Sequence, residues 1–229
     1  MNKSLILRAS AMSAVLFLAA CGGGGDSSSG GSTPTKPKAN PNPTTTVTAC
    51  SAAGITAANA STAGAVVCML TSDGEIVVEL DKAKAPITTA NFLAYVNNKF
   101  YDNTIFHRVV PNFVVQGGGM TTGFVEKTGQ SAAIKLESNV GLSNKAGTIA
   151  MARTSAADSA TSQFYFNTVD NSASLDYKND AAPGYAVFGK VITAESTATI
   201  NKINGETQFY TGADTPATEV VLYWAKQVK

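Results

Sequence analysis

Residues 104–119, TIFHRVVPNFVVQGGG, set the chain's only histidine (His107), an arginine (Arg108) and a glutamine (Gln116) into an otherwise apolar run. Side chains alternate along a strand. Ile105, His107 and Val109 then share one face, and Phe106, Arg108 and Val110 the other. Neither face is the polar one, which suits a strand covered on both sides or one lining an apolar groove. A charge there is costly unless something pairs with it. Arg108 is therefore either a paired structural residue or a working one. As a working residue, its guanidinium would be a permanent cation with donors held in a rigid fork.

Other chemistries fall away. One histidine excludes a multi-histidine zinc site. There is no G-x-S-x-G elbow, and a Ser-His-Asp triad would have to use His107, with no hint of its partners. QGGGM (116–120) lacks the Lys-Ser/Thr of a phosphate loop, so its glycines read as backbone geometry. Glu75 and Glu79 sit at even spacing and read as a solvent-facing row. No metal cluster and no cofactor fingerprint is expected. Net charge is +1 and only 14% of residues are charged, which gives no sign of a nucleic-acid partner. What remains is Arg108, Phe113, Gln116 and the later SQFYF (162–166).

The elements that must hold these residues are short. AVVCMLTSDGEIVVEL (65–80) reads as two strands turned at Asp73-Gly74. APITTANFLAYVNNKF (85–100) reads as a helix with Pro86 near its start. Strands are expected at 104–110, 113–116, 147–152, 162–169, 185–192 and 218–227, with a short helix at 197–203. Many short strands, turn signals and two helices predict a mainly β chain: a closed antiparallel barrel with helices at its ends.

The first 64 residues read differently. Lys3 and Arg8 precede the apolar run ASAMSAVLFLAA (9–20), too short to span a bilayer but suited to a signal-peptide core. It ends in LAAC, Leu18 to Cys21, which resembles the lipobox of bacterial lipoproteins. That resemblance implies cleavage after residue 20 and a lipid on Cys21. In residues 22–46, Gly, Ser, Thr and Pro make 19 of 25 positions, a composition unable to bury a core. As a coil it would reach about 28 Å. The expected organisation is a signal peptide (1–20), Cys21 with a disordered tether (21–46), an N-terminal extension (47–64) and the folded domain (65–229). The compartment would be the cell envelope. Gly22 leans toward the outer membrane by resemblance to enterobacterial sorting, on either its periplasmic side or the cell surface.

With Cys21 lipidated, Cys50 and Cys68 remain. Export would put them where disulfides persist. A bridge would close a loop of roughly 18 residues and add about 3 kcal/mol. Two free thiols is the other reading. No C-x-x-C is present, which argues against a redox enzyme.

FHRVVPNFVVQGG (106–118), GTIAMARTSAADSATSQFYF (147–166) and YAVFGKV (185–191) resemble, in order, the motifs of the cyclophilins, the barrel-type peptidyl-prolyl cis–trans isomerases. The resemblance implies an eight-stranded closed antiparallel barrel capped by two helices. It implies Arg108 as the catalytic residue, with Gln116 binding the substrate backbone and helping to hold the arginine. Phe113 would floor a proline pocket, with further pocket positions at Val114, Met151, Ala152, Arg153, Gln163, Phe164, Tyr165, Leu175 and Tyr185. It implies no cofactor, proline-containing polypeptide clients, a monomer, and membrane contact through the lipid alone. The tryptophan that eukaryotic members place before Leu175, which contributes to cyclosporin binding, is Ser174 here. Weak cyclosporin binding is therefore expected. His107, on the opposite strand face, reads as structural. Two other readings stand beside the isomerase: a proline-segment-binding chaperone or adhesin without catalysis, and a structural lipoprotein using the barrel as scaffold.

Overall fold

The computed structural model describes residues 36–210 and 212–229; the expected signal peptide, Cys21 and the tether up to residue 35 lie outside the described residues. Four helices and eleven strands follow in the order α1 (Ala52–Ala60), β1 (Val66–Thr71), β2 (Gly74–Leu80), α2 (Pro86–Asn97), β3 (Thr104–Ile105), β4 (Arg108–Val110), β5 (Val114–Gly117), β6 (Met120–Thr121), β7 (Val125–Glu126), β8 (Thr148–Met151), β9 (Phe164–Asn167), α3 (Ser172–Leu175), β10 (Val187–Val191), α4 (Ala194–Asn204) and β11 (Val221–Gln227).

All strands join one antiparallel sheet in the order β4-β5-β9-β8-β10-β2-β1-β11-β3-β6-β7. This corrects the expected closed eight-stranded barrel. The sheet has 11 strands and curls through 292°, leaving its edges 13 Å apart. The reason lies at Phe106-His107. The expected single strand 104–110 breaks there, and its halves belong to opposite ends of the sheet: β3 pairs with β11 and β6, while β4 pairs only with β5. The chain crosses the seam covalently where a ladder would have closed it. Beyond β4, the Val109 N–H donates to the carbonyl of Asp214, in the segment before β11, at 2.7 Å.

The break also overrides simple alternation, because Phe106 and Val109 both enter the core. That core fills the inside of the curl. Phe92 of α2 meets Tyr101, Phe164 and Phe188 at ring-centroid distances of 5.1, 5.5 and 5.0 Å. Offset and edge-on aromatic contacts of this kind add to the burial of their area.

β1, β2 and β11 are covered on their outer face as well. The chain at Lys38–Asn42 runs beside residues 217–223: Lys38 N–H donates to Ala217 O (2.7 Å), Glu219 N–H to Lys38 O (2.9 Å), and Tyr223 Oη to Asn42 O (2.5 Å). Trp224 Nε1 donates to Val47 O at 2.7 Å. α1 starts at Ser51, whose hydroxyl accepts from Gly54 N–H as an N-cap and itself donates to Glu75. Ala58 of this helix packs with Val66, Cys68, Val77 and Trp224. Cys50 and Cys68 are joined in a disulfide, their Cα atoms 6.0 Å apart. Gly54 fits beneath it because a Cβ there would fall 2.6 Å from the Cys50 sulfur.

Candidate active site

Antiparallel pairing puts directly opposed residues on the same face of a sheet. Arg108 opposes Gln116, Gln116 opposes Tyr165, Tyr165 opposes Ala150, and Ala150 opposes Val187. These five therefore share the face turned away from the core. Val114, Ala150, Ala152, Tyr165, Leu175 and Val187 form a buried apolar patch there, with Val110, Phe113, Leu142 and Tyr185 half-buried around it. Gly117, Phe164 and Met151 form another cross-strand row, which faces inward. Phe164 and Met151 are accordingly fully enclosed core residues and do not line the outer groove, although both were expected in the pocket.

Arg108 sits at the rim of this apolar face with its side chain 30% exposed. Its Nε and Nη2 both lie 3.1 Å from Oδ2 of Asp214. Asp214 is 106 residues away along the chain and carries no motif that would reveal it. Gln116 was expected to help hold the arginine; its amide nitrogen instead donates to Gln163 Oε1 at 2.9 Å. Gln163 can reach in because Gly119 leaves room: a Cβ there would fall 2.6 Å from the Gln163 side chain. This close approach, with the positive φ of 82° at Gly118, is what the glycine run supplies.

The apolar walls stand on a buried polar network that sequence reading did not find. Asn144, fully enclosed, accepts from Tyr165 Oη (2.8 Å) and from Asn167 Nδ2 (3.1 Å). Its own Nδ2 donates to Asp176 Oδ1 (2.9 Å) and Leu175 O (3.2 Å). Asn171 Nδ2 donates to Asn167 Oδ1 and to Phe113 O, both at 2.8 Å. Backbone or ring atoms of Phe113, Tyr165 and Leu175 are thus tied together, and every bond made here avoids the cost of a buried orphan. Burial raises the Tyr165 hydroxyl well above the ordinary tyrosine range, so it stays a donor. At Asp176, burial acts upward, but hydrogen bonds from Ser143 and Asn144 outweigh it and hold the carboxyl below its usual range.

The far rim is cationic. The Arg153 guanidinium carbon lies 4.6 Å from the Tyr185 ring centroid, its Nε donates to Gly184 O at 2.9 Å, and Tyr185 stands edge-on to Tyr165 at 5.9 Å. His107 sits behind Arg108. Burial, with the neighbouring Arg108 cation adding to it, pushes its imidazole down to about 4, and its Nδ1 is enclosed without a hydrogen-bond partner. At neutral pH it is an uncharged residue. The arrangement offers a cation at either rim, an apolar floor for a compact ring and a buried amide beside Arg108. Among the described residues, the one clustering of potential metal ligands is Cys50, Cys68 and Glu75, and both cysteines are already bonded to each other.

A family model described as "Cyclophilin type peptidyl-prolyl cis-trans isomerase/CLD" matches residues 66–226. Curated relatives include a peptidyl-prolyl cis-trans isomerase of Acinetobacter baylyi, 55% identical over 57% of this chain and 68% of that protein. Isomerase A of Dickeya dadantii is 43% identical over 80% of this chain and 95% of its own length. Isomerase B of Escherichia coli is 42% identical over 66% and 93%. The fold is similar to a crystal structure of a Cryptosporidium parvum cyclophilin-type isomerase, with a TM-score of 0.57 at 22% identity, covering 71% of this chain and 96% of that one.

Proposed function

The chain belongs to the cyclophilin-type peptidyl-prolyl cis–trans isomerases, and on that premise we propose that Arg108 is its catalytic residue. The protein accelerates rotation about X-Pro peptide bonds. Amide resonance sets a barrier of about 18–20 kcal/mol, and an uncatalysed X-Pro bond takes tens to hundreds of seconds to exchange. No covalent bond changes partners, so the enzyme has only to favour the twisted amide over both planar forms. Twisting localises the lone pair on the proline nitrogen. A fixed donor cation stabilises that state and little else, and each 1.4 kcal/mol of such selectivity is about tenfold in rate. In this reading Phe113, with Val114, Ala152, Tyr165 and Leu175, holds the proline ring. Gln116 and Gln163 bind the client backbone, and Arg153 and Tyr185 form the far rim.

The observation that carries the reading is the row Arg108–Gln116–Tyr165–Ala150–Val187, which sets one guanidinium at the edge of an outward apolar patch. Exchange spectroscopy of a short X-Pro peptide with the wild-type chain and an Arg108→Ala variant tests it. Wild-type protein accelerates exchange. The variant loses about a hundredfold or more while its melting temperature stays close, since a half-exposed ion pair contributes little to stability. A variant that keeps its rate removes Arg108 from the mechanism.

The proposal extends to the cell. The chain is a monomeric lipoprotein: a signal peptide over 1–20, a lipid on Cys21, a tether over 21–46 whose stretch from Lys38 to Asn42 is laid against the domain, an extension over 47–64 and the isomerase domain over 65–229. It assists the folding of envelope proteins from an outer-membrane anchorage. Its support is the charged start, the apolar run and LAAC, together with a disulfide suited to an oxidising compartment. Detergent-phase partitioning beside a Cys21→Ser variant tests the anchor; wild-type protein in the aqueous phase overturns it. Protease treatment of intact cells separates a surface location from a periplasmic one.

A further inference from the structure

The guanidinium of Arg108 has two usable edges, and Asp214 takes one of them. Nε and Nη2 both reach the same oxygen, Oδ2, each at 3.1 Å. Nη1 is left without a protein partner among the described residues, on a face shared with Gln116 and the apolar patch. A single exposed ion pair is weak as a source of stability. As a means of orienting a planar fork it is effective, because charge-assisted N–H···O bonds are directional.

Asp214 is also held through its backbone. Its carbonyl accepts the Val109 N–H at 2.7 Å, directly beside Arg108 on the edge strand β4. The loop closes on itself through Phe209 N–H to Thr215 O (2.9 Å) and Ala217 N–H to Thr207 O (2.6 Å). Its exit is braced from outside by Lys38, which bonds Ala217 and Glu219, and by Asn40 Nδ2, which donates to Glu219 O at 2.8 Å. Docking of the loop therefore rests on backbone bonds, and the Asp214 carboxylate is free to serve another end.

We propose that Asp214 is a positioning residue for the isomerisation: it clamps the Nε/Nη2 edge of Arg108 and so presents Nη1 to the client's proline nitrogen. This rests on the reading of Arg108 as the catalytic residue. The clamp removes the rotamers in which the guanidinium swings into solvent, and a displacement of about 1 Å in a reacting group is enough to cost a large factor in rate. Asp214 touches neither client nor reacting bond.

The test is a set of full-chain variants, Asp214→Asn, Asp214→Glu and Arg108→Ala, assayed by peptide exchange over a range of substrate concentrations. Asp214→Asn keeps the backbone bond to Val109 and the size of the side chain. It is expected to lower kcat about tenfold with KM within twofold, and Asp214→Glu to recover most of the loss. The Arg108 Nε–H signal in nitrogen-15 spectra gives a readout that loop folding alone would not move. It is expected to be slow in hydrogen exchange in the wild type and fast in Asp214→Asn. Full kcat in Asp214→Asn with Arg108→Ala inactive overturns the clamp and leaves the catalytic arginine standing. An active Arg108→Ala overturns both. A fast-exchanging Nε–H in the wild type overturns the clamp without any variant having to fold.

Discussion

The Arg153 guanidinium lies over the Tyr185 ring, its carbon 4.6 Å from the centroid, while its Nε donates to the carbonyl of Gly184. One side chain thereby fixes both the rim tyrosine and the loop that delivers it. An arginine–aromatic contact at a partly exposed site is worth about 0.5–1 kcal/mol, and a hydrogen bond from a charged donor about 1.5–3 kcal/mol. Arg153→Ala is expected to raise KM severalfold and leave kcat nearly unchanged, because the loss falls on the pocket wall and not on the reacting bond. Exchange rates measured against peptide concentration separate the two; a fall in kcat alone would contradict this role.

Reducing the Cys50–Cys68 disulfide should weaken the fold more than the chemistry. The bridge spans 18 residues, which corresponds to about 3 kcal/mol on the chain-entropy estimate. It lies at α1 and β1, away from the row that contains Arg108. Urea unfolding of Cys50→Ser,Cys68→Ala is expected to show that loss, with kcat at 25 °C within twofold of wild type. A large loss of activity at full folding would place the bridge in the site's support.

His107 predicts an acid sensitivity of stability. Its folded value of about 4 lies below the ordinary histidine value near 6.5, so the unfolded chain binds the extra proton between those limits. Stability is therefore full above about pH 6.5 and declines as pH falls toward 4, by at most about 3 kcal/mol from this residue. Denaturation at pH 7 and pH 5 should show it, and a His107→Gln variant should lose that share. Equal slopes in both proteins would rule His107 out as the source.

Cyclosporin should bind weakly. At the position where the resemblance places a tryptophan, Ser174 is exposed and its hydroxyl turns back to Asn171 O at 3.1 Å. It offers no aromatic surface to a cyclic peptide. Titration calorimetry is expected to return micromolar affinity or weaker, and nanomolar binding would overturn the assignment.

How much of this was legible depended on whether a signal was local. The hairpin of β1 and β2 was legible from the Asp73-Gly74 signal, although the structure turns one place earlier, at Ser72-Asp73, with Gly74 opening β2; α2 follows from Pro86 and its helical spacing. Arg108, Phe113 and Gln116 came from one continuous motif, and the structure sets Arg108 and Gln116 opposite one another. The break at Phe106-His107 was not legible, because no glycine or proline marks it. The closed barrel was read from many short strands and from the resemblance, and neither marks where a sheet stops. Met151 and Phe164 were misplaced for a related reason: each neighbours a groove residue, and adjacent strand residues face opposite ways. α1 was absent from the reading, since AAGITAANA has no polar face to mark a period; Ser51, an N-cap type, was its one sign. Asp214 and the Asn144 network were beyond reach, being contacts that only the fold creates.

The laid-down segment before the disulfide gives the molecule a defined response to load. A pull on the chain from its N-terminal side loads first the hydrogen bonds of Lys38, Asn40 and Asn42, and after them those that Trp224 and Lys226 make to Val47 and Thr48. It then reaches Cys50, where the sulfur–sulfur link passes tension into β1, a strand flanked by β2 and β11 that would have to be sheared from both at once. The covalent link acts as a mechanical stop. What slackens ahead of it is the grip on Ala217 and Glu219, the exit of the loop that carries Asp214. Tension would therefore reach the arginine's surroundings well before it threatened the sheet.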